Sequence, residues 1–383
     1  MNSSGDAVLG PSEFARRVIE PGDFVADRSA FVDVRLPRSA GKASYSLIGP
    51  GVSQNPEQVV NLTEAHGFHL GAASMDHGVV NNQHMHFTAE VFICTRGLWR
   101  MKIGDHGQQT LDISPGTVFS VPTWVFRGFE NIGADDGWLF AVLGGNETGG
   151  IVWAPDVLRA AAETGLFLGA DGTVIDASAG GSVNGCIEPL EESELSSLDS
   201  YSDDELVART VRFEDLAWSD RSLLSSVGQG RAGGSIELAP VIGYGMTEDR
   251  RHQPPITIPH GFSIEWLRAA PGASFGLHRL ARHQAAILTE GSWEVAVNRG
   301  SFRLTARPQE GSVVSMPPGV WRDFLNVGES EACALLVCNS QERPRVEWDE
   351  SLEQSATTNG WSRDASGYLA PATLVAGASG AVP

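Results

Sequence analysis

Apolar residues recur at strand-like intervals through two stretches of the chain and lose that order between and outside them. The first stretch begins at Tyr45. In "EVFICTRGLWRMKIG" (residues 90–104) apolar positions alternate or run together for strand-sized lengths, broken by Gly97 and Gly104. "TLDISPGTVFSVP" repeats the style around a Pro115–Gly116 turn, and "WLFAVLGG" reads as a buried strand. The character then changes. "APDVLRAAAETG" predicts a helix, with Pro155 near its start and Gly165 as its stop. Residues 170–205 are glycine-rich and then acidic, which predicts a partly helical surface connection. The β pattern returns near Ile236 and dominates from Phe262 to Cys338.

These shifts divide the chain into five expected segments. An irregular N-terminal arm with one short helix covers 1–44. A first β domain covers 45–150, a helical and acidic connection 151–234, and a second β domain 235–345. A tail covers 346–383, polar and then small and apolar, with an end expected to fray.

The two β domains are copies of one another. "RGLWRMKIG…SPGTVFSVPTWVFRGFENIG" runs in step with "EGSWEVAVN…QEGSVVSMPPGVWRDFLNVG". Gly97 aligns with Gly291, Trp99 with Trp293, Gly116 with Gly311 and Pro122 with Pro317. Arg127 aligns with Arg322, Asn131 with Asn326 and Gly133 with Gly328. The offset is 194 residues, then 195 after a single insertion. Such spacing marks a repeated structural unit.

Composition narrows the function more than the fold. The 383 residues are 42% hydrophobic, enough for a substantial core, and carry a formal net charge of -20. That charge argues against binding a phosphate backbone, which needs clustered cations. A free anion would be repelled unless local cations focus it. No stretch of about 18 apolar residues is present to span a membrane. Met1–Pro11 lacks the basic-then-apolar order of a secretion signal. Cys94, Cys186, Cys333 and Cys338 are scattered, with no Cys-x-x-Cys pair. The expectation is a cytoplasmic protein with reduced thiols, a small-molecule partner, and no nucleic acid or membrane partner.

The repeated blocks resemble the two motifs of the cupin superfamily, over roughly 45–145 and 235–340. "HMHFTAEVFICTRG" matches the core of the first motif at His84, His86, Glu90 and Gly97. "GTVFSVPTWVFRGFEN" matches the second at Gly116, Pro122 and Asn131, and "GSVVSMPPGVWRDFLN" matches it again at Gly311, Pro317, Gly319 and Asn326. The resemblance implies a mainly β bicupin: two tandem antiparallel jelly-roll β-barrels with a helical connection and irregular termini. It also implies a metal held by His84, His86 and Glu90. The second-motif histidine that completes the site in the family is Arg127 here and Arg322 in the second copy. There the first motif reads His278, Leu280, Gln284.

Strand geometry agrees. His84, His86 and Glu90 share parity, so on one continuous strand they point to one face, with Met85, Phe87, Val91 and Ile93 on the other. Two imidazoles and a carboxylate converging in an apolar interior need a partner. Two His and one carboxylate with open positions opposite is the ligand set of non-haem Fe(II) oxygenases. Fe(II) is therefore favoured, with Zn, Mn, Ni and Co compatible. His66, His69 and His77 lie upstream as candidate further ligands. The metal-free alternative pairs Arg127 with Glu90. Arg127 is a candidate catalytic and substrate-anchoring residue through bidentate hydrogen bonds. Trp99 and Trp124 are candidate substrate walls. The second copy lacks the ligand set and reads as structural.

Three functions follow. The first is an iron-dependent oxygenase, of dioxygenase type, acting with O2 on a small carboxylated or aromatic molecule. The second is a metal-dependent isomerase, lyase or cyclase that does not use O2. The third is a non-catalytic binding bicupin. A homodimer is compatible with each.

Overall fold

The computed structural model describes residues 6–228 and 235–379. Two compact units emerge: residues 24–215, and residues 216–383 together with the N-terminal stretch up to Asp23. The molecule is mainly β, and each unit is a two-sheet jelly roll.

In the first unit a five-stranded sheet runs in the order Ile151–Trp153, Val80–His86, Arg127–Asn131, Trp99–Ile103, Gln109–Ile113. The facing seven-stranded sheet has Val118–Val121, Glu90–Arg96, Gly137–Gly144, Phe68–Met75 and Ala43–Ile48 as its central strands. Alternation places Phe92, Trp99, Met101, Phe119, Phe129 and Leu139 between the sheets, where they form one buried cluster. The second unit repeats the plan with six and five strands around Leu238, Phe275, Trp293, Phe324 and Leu336.

The repeated residues do the same work twice. Asn131 Nδ2 donates to the Met75 and Asp135 carbonyls while its Oδ1 accepts from Gly133 N–H at 2.9 Å. Asn326 makes the same three bonds, to Ala269, Ser330 and Gly328. The Trp99 indole N–H donates to Arg96 C=O, and that of Trp293 to Glu290 C=O. Gly97 and Gly291 sit at φ 88° and 83°, a turn conformation that costs an L side chain roughly 1 kcal/mol or more.

The structural repeat is longer than the one visible in the sequence. Helix Pro155–Glu163 and helix Glu350–Thr358 keep the 195-residue offset. So do the hairpins that follow, Leu166–Leu168 with Val174–Asp176 and Trp361–Arg363 with Leu369–Pro371. The start of the connection and the tail are thus equivalent pieces of the two units. The two segments share only sparse identities, Trp153 with Trp348, Ala161 with Ala356, Gly165 with Gly360 and Gly172 with Gly367, without the dense spacing that marks the repeat in the strands.

The N-terminal residues are divided. Helix Pro11–Arg17 and strand Val18–Ile19 pack in the second unit, where Val18 and Ile19 pair with Val314 and Val313. The 3-10 turn Val32–Arg35 belongs to the first unit and delivers Asp33 to its interior. The tail continues as helix Ala372–Ser379. Residues 380–383, where fraying is expected, and residues 1–5 of the N-terminal arm lie outside the described residues. Among the described residues no helix is long and apolar enough to cross a membrane.

Candidate metal centre

His84, His86 and Glu90 come together, but not by lying on one strand. The two histidines end strand Val80–His86 of the five-stranded sheet, and Glu90 opens strand Glu90–Arg96 of the seven-stranded sheet. The chain turns at 87–89 and crosses between sheets. The parity expectation of a continuous strand is therefore corrected: the side chains converge because they face each other across the interior. A bulge in strand Val80–His86 adds to this. Arg127 pairs with His84 but Phe129 with Asn81, so one extra residue is taken up and Asn81 also faces the cavity.

The ligand atoms of the three residues lie within 4.8 Å of one another. His86 Nε2 is 3.6 Å from Glu90 Oε1. His84 Nδ1 is 2.7 Å from Asn82 C=O, and His86 Nδ1 is 3.1 Å from Gly150 C=O. Carbonyls only accept, so both rings carry their proton on Nδ1 and present an Nε2 lone pair to the interior. That is the orientation in which a metal-binding imidazole is held by its outer partner. The residues fit a divalent ion.

Arg127 is fully buried and is bound to the same carboxylate. Its Nε and Nη2 both donate to Glu90 Oε2, at 2.8 and 2.7 Å, leaving Oε1 toward the histidines. Burial works to raise the Glu90 pKa, but Arg127 and then His86 outweigh it and hold the carboxyl well below its usual range. Burial, then the Arg127 charge, keeps His84 well below the usual imidazole value, and the same two causes lower His86. The site thus holds two neutral imidazoles and an ion pair, with no net charge.

These ligands line a cavity with about 80 Å³ open to the centre of a water molecule. A single water needs about 10–15 Å³ by that measure, so there is room for a small organic molecule. Its walls are largely apolar, with Phe31, Phe92, Phe129 and Trp153 among them. Other candidate residues are placed elsewhere. Arg127 stands behind Glu90 and is not on the cavity wall. Trp99 is buried in the core between the sheets. Trp124 is 43% exposed, with φ 58°, and packs edge-on against Phe87. His69 Nδ1 accepts from Gly51 N–H, and its Nε2 donates to Asn146 C=O at 3.0 Å. His77 bonds Gly133 C=O and His66 bonds Glu64 C=O; neither joins the ligand cluster.

Two wall residues had escaped the sequence reading. Trp153 lies 5.3 Å from the His84 ring, and Lys42 reaches the wall from the residue before strand Ala43–Ile48. Trp153 had a detectable signal: it keeps the 195-residue offset with Trp348, which lies 5.4 Å from His278. Lys42 had none.

The second copy shows what the scaffold does without the ligand set. His278 keeps the same Nδ1 contact, to Gly276 C=O at 2.7 Å. The Phe275 ring fills the space 4.6 Å from its own. Burial, then Arg322, pushes the His278 pKa down to about 3. Arg322 bonds Gln284 Oε1 and the carbonyls of Val320 and Pro317 instead of a carboxylate.

No family model matches the chain, and no curated protein sequence is significantly similar to it. Solved structures are similar in fold. Oxalate decarboxylase of Bacillus subtilis at pH 4.6 is 14% identical with a TM-score of 0.52, over 91% of this chain and 79% of that one. Oxalate decarboxylase of Lactobacillus farciminis in a formate complex is 14% identical with a TM-score of 0.53, over 91% and 90%. The 7S globulin of Momordica charantia is 11% identical with a TM-score of 0.51, over 87% and 86%. The shared architecture is the bicupin fold, and at these identities it is the fold that is shared.

Proposed function

We propose that the first unit is a mononuclear metal enzyme acting on a small organic molecule, with His84, His86 and Glu90 as its protein ligands. The observation that carries this reading is the pair of Nδ1–carbonyl contacts, which leave the Nε2 atoms of two imidazoles free as acceptors in a cluster whose three ligand atoms, Glu90 included, lie within 4.8 Å of one another. A divalent ion held there supplies Lewis acidity and, as Fe(II), one-electron chemistry toward O2. Arg127 fixes the Glu90 carboxylate through one oxygen and cancels its charge. Because the residues sum to zero charge, a divalent ion leaves the cavity at +2, which favours an anionic substrate. The apolar wall excludes water and strengthens each electrostatic contact inside. The second unit contributes no ligand set of its own among the described residues and serves as scaffold.

Two reaction classes follow. The ligand set supports an Fe(II) oxygenase. A non-oxidative lyase draws support from the oxalate decarboxylases that share the fold. The same protein, loaded in turn with Fe(II), Mn(II), Zn(II) and Ni(II), separates them. Oxygen consumption with small carboxylates, confined to the iron form, supports the oxygenase. Turnover without oxygen uptake supports the lyase. Failure of all four ions to bind overturns the metal reading and leaves the Arg127–Glu90 pair as the core of a binding protein.

A further inference from the structure

Lys42 is buried beside the cavity, yet nothing in the metal reading uses it. Its ammonium pairs with Asp33 and donates to Asn81 Oδ1 at 2.8 Å. An ammonium has three N–H groups, and the third has no hydrogen-bond partner among the described residues. It stands 5.0 Å from the centre of the Phe31 ring and 5.8 Å from that of Trp153. Trp153 is the same indole that packs 5.3 Å from His84. Lys42 and the metal ligands therefore flank one aromatic plate within one cavity.

Asp33 does not exhaust the lysine. That carboxylate also accepts from the Asn82 N–H, the Asn82 amide and the Ser39 hydroxyl. Its charge is shared among several donors, so it holds Lys42 in place without saturating it.

The second copy provides an internal comparison. Ala43 lies opposite Ser74, and Glu237 opposite Arg268. Asn131 and Asn326 tie the same strands one residue further on, at Met75 and Ala269. Lys42 therefore corresponds to Ile236. By the same logic Asn81, opposite Phe129, corresponds to Phe275, which bonds Phe324. Where His86 and Glu90 give way to Leu280 and Gln284, the lysine and its asparagine are replaced as well, by isoleucine and phenylalanine. A lysine needed only to hold the fold would not have to vanish together with the ligand set.

We infer that Lys42 is the anion anchor of this cavity: it receives the carboxylate of a small aromatic or otherwise flat acid whose body lies against Trp153 and Phe31, with its other end toward His84, His86 and Glu90. This rests on the reading of the cavity as a substrate site. It moves the anchoring role away from Arg127, whose guanidinium is committed to Glu90.

The test compares benzoate with benzamide, which has nearly the same shape and no charge. Binding to metal-stripped full-length protein is followed by tryptophan fluorescence and calorimetry, then repeated with Zn(II). The parent should bind benzoate at least tenfold more tightly than benzamide in the stripped form. Lys42→Met should reduce that ratio to near one at unchanged benzamide affinity. Equal affinities in the stripped parent overturn the inference, as does a Lys42→Met variant that keeps the preference. If Lys42→Met does not fold, the parent ratio and Lys42→Gln decide: Lys42→Gln keeps polar contacts to Asp33 and Asn81 without the charge, and a Lys42→Gln variant that keeps the benzoate preference overturns the inference. The stripped-form result is independent of whether an ion binds, so failure of the metal reading is seen separately, in the titrations with metal alone.

Discussion

Replacing Arg127 with methionine keeps much of the side-chain volume and removes its charge. In the parent both contacts to Glu90 Oε2 are at or below 2.8 Å and both side chains are buried. Removing one member of such a pair costs about 3–5 kcal/mol, because the other is left buried and charged. Glu90 has an escape, which is to take up a proton. From an ordinary carboxyl value of 4.5, protonation at pH 7 costs about 3–4 kcal/mol, and this caps the penalty. For a unit of this size each kcal/mol moves the melting temperature by about 2–4 °C. The metal-free variant should therefore melt roughly 6–16 °C lower at pH 7. The deficit should shrink as the pH falls toward 4.5, where protonating the orphaned carboxyl becomes cheap. A divalent ion reverses the effect. It restores the counter-charge that Glu90 has lost, and no guanidinium opposes it. The variant should bind Zn(II) or Mn(II) at least about tenfold more tightly, a gain of about 1.4 kcal/mol, and recover most of the lost melting temperature. Scanning calorimetry with and without the ion, at pH 7 and pH 5, reads all of this. An equal ion-induced shift in parent and variant would mean that Glu90 is not a ligand, and an unchanged metal-free melting point would mean that the ion pair is not what keeps Glu90 ionised.

Elemental analysis should find about one divalent metal per chain, lost in His86→Ala and unchanged in His278→Ala; equal loss in both would place the working site wrongly. Burial raises the Glu265 pKa to about 8, against an ordinary 4.5. The folded form then holds a proton that the unfolded chain has released, so stability should fall by up to a few kcal/mol as the pH rises from 4.5 to 8. Glu248, raised by burial to about 7, contributes to the same slope, so Glu265→Gln should reduce the slope in urea titrations and Glu265→Gln with Glu248→Gln should flatten it; an unchanged slope in Glu265→Gln would mean that Glu265 does not cause it. Asn326→Ala removes three hydrogen bonds around one turn and should cost about 2–4 kcal/mol. Urea midpoints read it, and a loss under 1 kcal/mol would show that the repeated asparagine is not structural.

The reach of the sequence depended on whether a feature was local. Turn glycines, the Asn-x-Gly pair and alternating strands act over a few residues, so their spacing recurs legibly in both copies. Those spaced residues carry the resemblance to the cupin superfamily, and it was the resemblance that implied the bicupin fold and the His84, His86, Glu90 set. What could not be read was how the set is assembled. A turn at 87–89 sends Glu90 into the opposite sheet, and strand alternation alone does not distinguish that crossing from a straight strand. The extended repeat was hidden for a related reason, since a helix and hairpin need only an apolar face to occupy equivalent places.

The chain by itself determined that one β-rich unit is built twice and that His84, His86 and Glu90 of the first copy give way to His278, Leu280 and Gln284 in the second, because those facts are written in residue type and short spacing. Tertiary structure decided how the charges of the cavity combine. The sequence offered the Arg127–Glu90 pair only as the metal-free alternative, whereas the structure forms it across the two sheets through one carboxylate oxygen, beside the intact His84 and His86. Lys42 and Asp33 come from a stretch that looked like an irregular arm, yet they enter the same interior. Charge pairing at a buried site depends on distance in space and on the absence of water, and neither is a property of sequence order.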